Sequence, residues 1–241
     1  MRYFIKFCYD GSSFYGFQRQ KDKVTVQGEL EKALSIISKK KVCIKGAGRT
    51  DVGVHALGQC AHFDLQVSIP VERLKKAINR IVAPYILILE CKNVGMDFHA
   101  RFSVKSKKYI YKINIGSFIP FKYRYYYFYE NTLNLNKLRE CADLFIGKHN
   151  FHNFVSGDRE HFNGSIEDIE IHVNHDEVAI VFKGRSFYRY MVRNLVGAML
   201  DYNEGKCELF LIKKMLEEDY FNYQLRCAPA RGLYLEGVYY E

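Results

Sequence analysis

The order in which strand and helix patterns follow one another constrains the fold more than any other feature of this sequence. Strands are predicted by alternating apolar and polar residues, and helices by apolar residues three and four positions apart. In the first half, strands are predicted at 2–9, 42–47, 59–65 and 85–90. Helices are predicted to begin after the capping residue Thr25 and at Pro70. The resulting order, β-α-β-β-α-β, is that of the ferredoxin-like plan.

A similar succession of patterns occupies the second half. The predicted elements are, in chain order, a strand at 107–115, a helix at 135–146, strands at 166–173 and 177–183, helices at 187–203 and 208–218, and a strand at 233–239. We therefore expect an α+β fold of two ferredoxin-like (RRM-like) halves, residues 1–104 and 105–241. Because no proline- or serine-rich linker separates the halves, we expect their antiparallel sheets to meet around a central basic cleft.

Composition excludes several classes of protein. Of the 241 residues, 48% are apolar and only 4 are proline, which fits a packed core and excludes low-complexity sequence. The most apolar run, Ile81–Leu89, is short and contains Pro84, so no membrane span is expected. The first residues alternate in polarity like a strand and unlike a signal peptide. The 7 scattered cysteines include no C-x-x-C pair, which favours a reducing cytoplasm over a disulfide framework.

The charge balance favours a polyanionic partner. Lysine and arginine number 36 against 27 acidic residues, a formal net charge of +9. The chain also has 19 tyrosines and 18 phenylalanines, and aromatic rings interleaved with basic residues suit the bases and phosphates of RNA. An anionic membrane surface is a second polyanion that such a charge would suit. AT-rich coding sequence also produces a basic, tyrosine-rich composition without any functional meaning.

The most unusual segment is the glycine-rich loop GAGRTDVGVHALGQ, residues 46–59. Its glycines allow tight turns and close approach of a ligand to the backbone. Within it, Arg49 lies two residues before Asp51, and a neighbouring guanidinium lowers the pKa of a carboxyl group and keeps it ionised. Such a carboxylate suits a nucleophile, a base or an electrostatic stabiliser. The pattern equally fits an aspartate that closes a turn braced by the arginine.

Taken with four other segments, this loop identifies a family. GRTDVGVHA resembles the active-site loop of the tRNA pseudouridine synthase A family. The other segments that resemble its motifs, in chain order, are YDGSSFYGFQRQ (9–20), DFHARFSVKSKKYIY (97–111), SFYRYMVRNLVGAML (186–200) and APARGLYLEGVYY (228–240). The five motifs run nearly from end to end of the chain.

The resemblance implies a role for four residues. Asp51 matches the catalytic aspartate, the nucleophile of uridine isomerisation, and Arg49 matches an arginine near it. Tyr109, the first tyrosine of KYIY, matches the residue that stacks on the target uracil. Arg193, in MVRN, matches an arginine that pairs with the aspartate or helps displace the target base. Two positions depart from the family pattern, since Phe17 stands where tryptophan is usual and Val52 where alanine is commoner.

The resemblance also implies a substrate and an assembly. The expected activity is a cytoplasmic tRNA pseudouridine synthase, an isomerase acting on uridines 38, 39 and 40 of the anticodon arm. Isomerisation involves no redox change or phosphate cleavage, so neither a cofactor nor a metal is expected. Family members are homodimers with tRNA spanning both subunits, and we expect a homodimer here.

Alternatives remain open at this level. The chain would also fit a non-catalytic RNA-binding module, a synthase acting on another RNA, or a basic peripheral membrane or scaffold domain. By pattern alone, Tyr109 is a core residue of a strand, and Arg193 a buried residue with a carboxylate partner. The tyrosines at 123–129 fit an RNA-facing platform, a dimer edge or a solvated sheet face.

Overall fold

The chain divides into two compact units in the computed structural model, which describes residues 1–157, 161–218 and 223–241. The first unit joins Met1–Lys105 with Tyr234–Glu241, and the second is Ser106–Leu233. The halves expected from sequence, 1–104 and 105–241, divide the chain at nearly the same point but assign the last residues to the second half. Both units mix α-helices with antiparallel strands, as the predicted α+β class requires.

The first unit is built on a five-stranded sheet with two helices. Its elements are β1 (Arg2–Tyr9), α1 (Val26–Ser38), β2 (Lys45–Gly46), β3 (His55–Asp64), α2 (Val71–Val82) and β4 (Ile86–Val94). Strand β1 lies between β4 and β3 and is antiparallel to both, and β2 is antiparallel to β3. The C-terminal strand β10 (Leu233–Tyr239) is parallel to β3, with Tyr234 opposite His55. That pairing explains why the last residues belong to this unit.

Helix α1 forms where its cap and its apolar stripe were predicted. The Thr25 hydroxyl accepts a hydrogen bond from the backbone N–H of Gly28 at 3.2 Å, which satisfies one of the free donors of the first turn. Leu30 and Leu34 on its inner face are fully buried, each contributing about 2 kcal/mol of hydrophobic stabilisation. The same helix shortens the strand predicted at 42–47 to two residues.

Side chains of α1 replace the strand pairing expected there. The Glu31 carboxylate accepts a hydrogen bond from the backbone N–H of Ile44, and the Ser35 hydroxyl accepts one from that of Val42. Backbone groups satisfied by a helix do not need a neighbouring strand. Only Lys45–Gly46 pairs with β3.

The described part of the second unit combines a mostly antiparallel sheet with three helices. Its elements are β5 (Ser106–Asn114), β6 (Tyr127–Phe128), α3 (Leu135–Phe145), β7 (Gly147–Asn150), β8 (Asn163–Asn174), β9 (Glu177–Gly184), α4 (Met191–Asn203) and α5 (Leu209–Glu217). The strand order is β5-β9-β8-β7, and the short β6 runs parallel to β5. The short strands β6 and β7 were not predicted from sequence.

Helix α4 begins four residues later than the predicted 187–203. Tyr190, its N-cap, adopts a left-handed conformation with a φ of 63°. An L-residue in that region ends regular helical geometry, so the turn before Met191 is not helical. No helix among the described residues is long and apolar enough to cross a membrane.

Candidate active site

Asp51 begins a tight turn that leads directly into β3. The backbone N–H of Val54 donates to the Asp51 carbonyl at 3.2 Å, which closes the turn. Gly53, its third residue, has a φ of 80°, a conformation that glycine adopts without steric cost. Asp51 is half-buried, whereas Val52 is exposed. The turn therefore fixes the backbone that carries the carboxylate.

The YDGSSFYGFQRQ segment holds this loop in place. The backbone N–H of Phe17 donates to the Thr50 carbonyl at 3.1 Å. The Tyr9 hydroxyl hydrogen-bonds the Thr50 hydroxyl at 2.8 Å, and burial raises the pKa of Tyr9 to about 12, so the phenol stays protonated. The two motifs, about 40 residues apart in sequence, are thus joined by hydrogen bonds at Thr50, the residue before Asp51.

His55 connects the loop to the same segment from the other side. Its side chain is 2% exposed, and its Nδ1 accepts the backbone N–H of Gly11 at 3.1 Å. A carboxylate oxygen of Asp10 lies 3.3 Å from the same nitrogen, and the imidazole stacks on Tyr234 with ring centroids 4.7 Å apart. Sequence reasoning missed the roles of Tyr9, Thr50 and His55. The signal available was that each lies inside or beside a motif already singled out.

Arg49 lies in the same loop, on its solvent side. It is exposed and precedes the buried Thr50, and Asp51 follows at intermediate burial. The amide of Gln59, on β3, donates to the Gly48 carbonyl at 3.3 Å and fixes the backbone just before Arg49. The structure thus holds both loop candidates on one anchored segment of the first unit. The influence of Arg49 on the Asp51 carboxyl stays a prediction.

Tyr109 belongs to the second unit, in the middle of β5. Its side chain is 8% exposed and meets Phe187 edge to face, with ring centroids 5.1 Å apart. Phe182 lies opposite it on β9. The buried position agrees with the core interpretation of the strand pattern, and its contact with a substrate stays a prediction.

Arg193 lies on the first turn of α4 and is half-buried. Its Nε–H donates to the Ala228 carbonyl at 2.7 Å, and its guanidinium lies 5.0 Å from the centroid of the Tyr190 ring. The N–H of Ala228 donates back to the Arg193 carbonyl at 3.1 Å. A backbone carbonyl thus binds this guanidinium, in addition to any carboxylate partner of the kind expected from sequence.

The tyrosine cluster at 123–129 divides into inward and outward members. The hydroxyls of Tyr126 and Tyr129 donate to Glu177 and Glu204, at 3.0 and 2.9 Å. Tyr123 is 46% exposed and lies under the Arg231 guanidinium, 4.3 Å from its ring centroid. The cluster is therefore partly structural and partly surface.

Metal-binding chemistry has no candidate cluster in the described ranges, where no group of three or more His, Cys, Asp or Glu side chains could hold an ion. Each cysteine is a free thiol, and burial raises the pKa of Cys60 to about 12. Desolvation disfavours a thiolate, so that cysteine is not reactive in the folded chain.

Comparison with known proteins decides the family. The model of a family described as tRNA pseudouridine synthase matches residues 7–103 and 141–241. A protein of Borrelia turicatae (strain 91E135), tRNA pseudouridine synthase A, is 40% identical over 241 residues, covering 98% of each chain. The chain belongs to the tRNA pseudouridine synthase family. The resemblance and the enzyme class expected from the five motifs are thereby confirmed.

Other members of the tRNA pseudouridine synthase family match equally broadly. The tRNA pseudouridine synthase A of Limosilactobacillus reuteri (strain DSM 20016) is 39% identical over 247 residues, covering 99% of this chain and 96% of that protein. That of Borrelia hermsii (strain HS1 / DAH) is 39% identical over 238 residues, covering 97% of each. The family match includes Arg49, Asp51 and Arg193, whereas Tyr109 lies between its two matched segments.

Proposed function

We propose that this chain isomerises uridine to pseudouridine in the anticodon stem-loop of tRNA, at positions 38, 39 and 40, with Asp51 as nucleophile and without a cofactor. The observation that carries the proposal is the Asp51 turn, braced by Tyr9, Phe17 and His55, in a chain of this family. A carboxylate on a fixed backbone keeps its position while the substrate moves.

The proposed reaction suits these residue types. The N1–C1′ bond of the uridine breaks, the uracil turns, and a new bond joins C1′ to C5. The proton of C5 is lost and N1 gains one, so the product is an isomer of the substrate. Asp51 attacks either the ribose carbon or the uracil ring, and both routes need its ionised carboxylate.

The proposed partners of Asp51 bind and expose the base. Tyr109 stacks on the uracil, an interaction that holds a ring without fixing its orientation in the plane. Arg193 helps displace the target base, and Arg49 keeps the carboxylate ionised. Taking a uridine out of a stem costs a few kcal/mol, which contacts between phosphates and basic side chains offset. The net charge of +9 supports that arrangement.

We also infer that each unit is a variant of the ferredoxin-like plan. In the first unit, the support is the chain order β1-α1-β2-β3-α2-β4 together with β1 lying between β4 and β3. In the second, β9 lies between β5 and β8, and α3 connects β5 to the later strands. A homodimer in the cytoplasm, where tRNA is available, completes the proposal.

The test is release of tritium from tRNA carrying 5-tritiated uridine, without added metal or cofactor. The wild-type chain should release tritium, and Asp51→Asn should release less than about one thousandth as fast while still binding tRNA. The asparagine keeps the size of the side chain but removes the charge and nucleophilicity. Val52→Ala is the matched control, because it changes the exposed neighbour in the same turn and should retain activity.

Three results would count against the proposal. Wild-type chain that binds tRNA and releases no tritium would favour a non-catalytic RNA-binding module. Equal release by wild type and Asp51→Asn would keep the reaction and remove Asp51 from its centre. Release from transcripts that lack uridine at positions 38, 39 and 40 would move the substrate to another site or another RNA.

A further inference from the structure

The segment Arg226–Pro229, called the strap below, connects two residues of the proposed site within the second unit. It precedes β10 and lies against α4 and β5. Its contacts are made by Arg226, Ala228 and Pro229. Since Arg193 and Tyr109 have their roles only under the proposed function, the inference rests on that function.

Arg226 anchors the strap to the C-terminal end of α4, through Asp201 in its last turn and Glu204 directly after it. Its two terminal nitrogens donate to the two carboxylate oxygens of Glu204 at 2.7 and 2.6 Å. Its Nε lies 3.1 Å from one carboxylate oxygen of Asp201, and its backbone N–H donates to the other at 3.3 Å. The side chains of Asp201 and Glu204 are 6% and 8% exposed. A fork that uses all three nitrogens of the guanidinium is one that lysine cannot reproduce.

The ion pair between Arg226 and Glu204, called the anchor below, is kept ionised by its own contacts. The Arg226 guanidinium holds the pKa of the Glu204 carboxyl well below its usual range. Tyr129 and Lys206 also donate to this carboxylate, at 2.9 and 2.6 Å. The anchor therefore stays charged and hydrogen-bonded at neutral pH.

Close backbone contact brings the strap onto α4 beside Arg193. A Cβ added to Gly197 would lie 1.6 Å from the Arg226 carbonyl oxygen, so only glycine permits this approach. Gly197 is four residues after Arg193 and therefore on the same face of the helix. One turn from that contact, Ala228 and Arg193 exchange two hydrogen bonds. The Ala228 N–H donates to the Arg193 carbonyl, and the Arg193 Nε–H donates to the Ala228 carbonyl.

The far end of the strap reaches the strand of Tyr109. The hydroxyl of the fully buried Tyr111 donates to the Pro229 carbonyl at 2.8 Å. Tyr111 is two residues after Tyr109 and lies on the same face of β5. The strap thus spans from the helix of Arg193 to the strand of Tyr109.

We propose that Arg226 is a positioning residue, which through the strap fixes the plane of the Arg193 guanidinium relative to Tyr109. A hydrogen bond through Nε sets the direction of the other two nitrogens, since the guanidinium is planar. Without the anchor, the Ala228 carbonyl shifts and Arg193 turns away from its catalytic orientation. A misplacement of about 1 Å costs on the order of a hundredfold in rate.

Arg226→Lys tests the proposal in single-turnover isomerisation at saturating tRNA. Lysine keeps the charge and the aliphatic stem but loses the fork. The rate should fall about 10- to 100-fold, with tRNA affinity within about twofold of wild type. Ile212→Val is the control for general destabilisation, since it trims a buried side chain of α5 in the same unit and should leave the rate unchanged.

A double-mutant cycle separates positioning from a merely structural role. In an Arg193→Lys background, which has no guanidinium plane to orient, Arg226→Lys should still lower the melting temperature but should reduce the rate by less than about twofold further. Equal rate losses in both backgrounds would show that Arg226 acts independently of Arg193, and the proposal would be overturned. If Arg226→Lys does not fold, Glu204→Gln replaces it, because glutamine keeps the shape of the side chain and removes one charge. It is combined with Arg193→Lys in the same double-mutant cycle, and the rate losses are compared in the same way.

The single variants distinguish the two levels of the proposal. Full activity of Arg193→Lys would overturn the proposed role of Arg193, and the strap inference with it. A rate loss in Arg193→Lys together with wild-type activity of Arg226→Lys would leave the proposed function standing and overturn the strap inference alone.

Discussion

Gly11 has no side chain, yet the Asp51 loop depends on it. A Cβ at this position would lie 1.9 Å from the Val54 carbonyl oxygen, a distance that no packing can accommodate. Gly11→Ala should therefore displace the turn before β3, destabilise the fold by about 1–3 kcal/mol and lower the isomerisation rate at least tenfold. Thermal unfolding and tritium release measure the two effects.

Gly157→Ala is the matched control for that substitution. Gly157 has a φ of 118° and nothing within 4 Å of an added Cβ, so alanine there strains only a local loop. It should leave the isomerisation rate unchanged. A Gly11→Ala chain as active as this control would mean that the loop tolerates displacement, and that its tight packing has no catalytic importance.

At this scale the sequence names chemical candidates but not the residues that support them. Asp51 and Arg49 are candidates because glycines surround them and the family motif contains them, and their roles stay predictions. The contact between Tyr9 and Thr50 spans 41 residues and that between Gly11 and His55 spans 44, so no local pattern shows them. Such partners are fixed only when β1 and β3 pair.

Among the elements, β3 contains a buried group whose ionisation opposes folding. Burial first, and then the positive charges of His99, Arg2 and Lys45, lower the pKa of His62 to about 4, although Asp64 acts in the opposite direction. His62 is 3% exposed, and its Nδ1 accepts the backbone N–H of Ala100 at 3.1 Å. The fold therefore requires the neutral imidazole.

The pH dependence of stability follows from the sign of that shift. Below pH 6.5 the unfolded chain binds a proton at His62 that the folded chain does not, so stability is complete above 6.5 and is lost as pH falls toward 4. The loss from this group should reach about 3 kcal/mol. Urea unfolding between pH 7 and pH 4 measures it, and His62→Gln should flatten that part of the curve. An unchanged curve would assign the acid sensitivity to other groups.

Helices were easier to predict than the boundaries of strands. The stripe of α1 and the cap at Thr25 are local, and both were predicted correctly. The strand predicted at 42–47 is too long, because Glu31 and Ser35 accept the backbone hydrogen bonds that a neighbouring strand would have accepted. The start of α4 was placed too early, since hydrophobic periodicity continues through the left-handed Tyr190.

At the scale of the whole molecule, the property that matters most for tRNA binding is the formal net charge of +9. Binding that neutralises phosphates releases counterions, so affinity for tRNA should fall tenfold or more between about 50 and 200 mM salt. Filter binding of Asp51→Asn to tRNA measures this without turnover. The rate at saturating tRNA should change little over the same range, and an affinity independent of salt would exclude phosphate contacts as its main source.

Neither the composition nor any single motif predicts which unit the last strand joins. The pattern at 233–239 predicts a strand, and its position in the chain suggests that it belongs with the residues just before it. The structure pairs it with β3, more than 170 residues earlier, through Tyr234 and His55, and places Tyr234–Glu241 in the first unit. Topology of that kind depends on long-range pairing, which has no local signature.

This pairing has a consequence for synthesis of the chain. The first unit lacks Tyr234–Glu241 until these residues are translated, although its other residues, Met1–Lys105, leave the ribosome first. At roughly 5–20 residues per second, the intervening Ser106–Leu233 delay the closing strand by about 6 to 26 s. During that interval the His55 imidazole has no Tyr234 ring to stack on. The edge of β3 at His55 and Ala56 lacks its partner strand. A chain terminated before Tyr234 therefore never acquires the stacking contact that supports the Asp51 loop through His55.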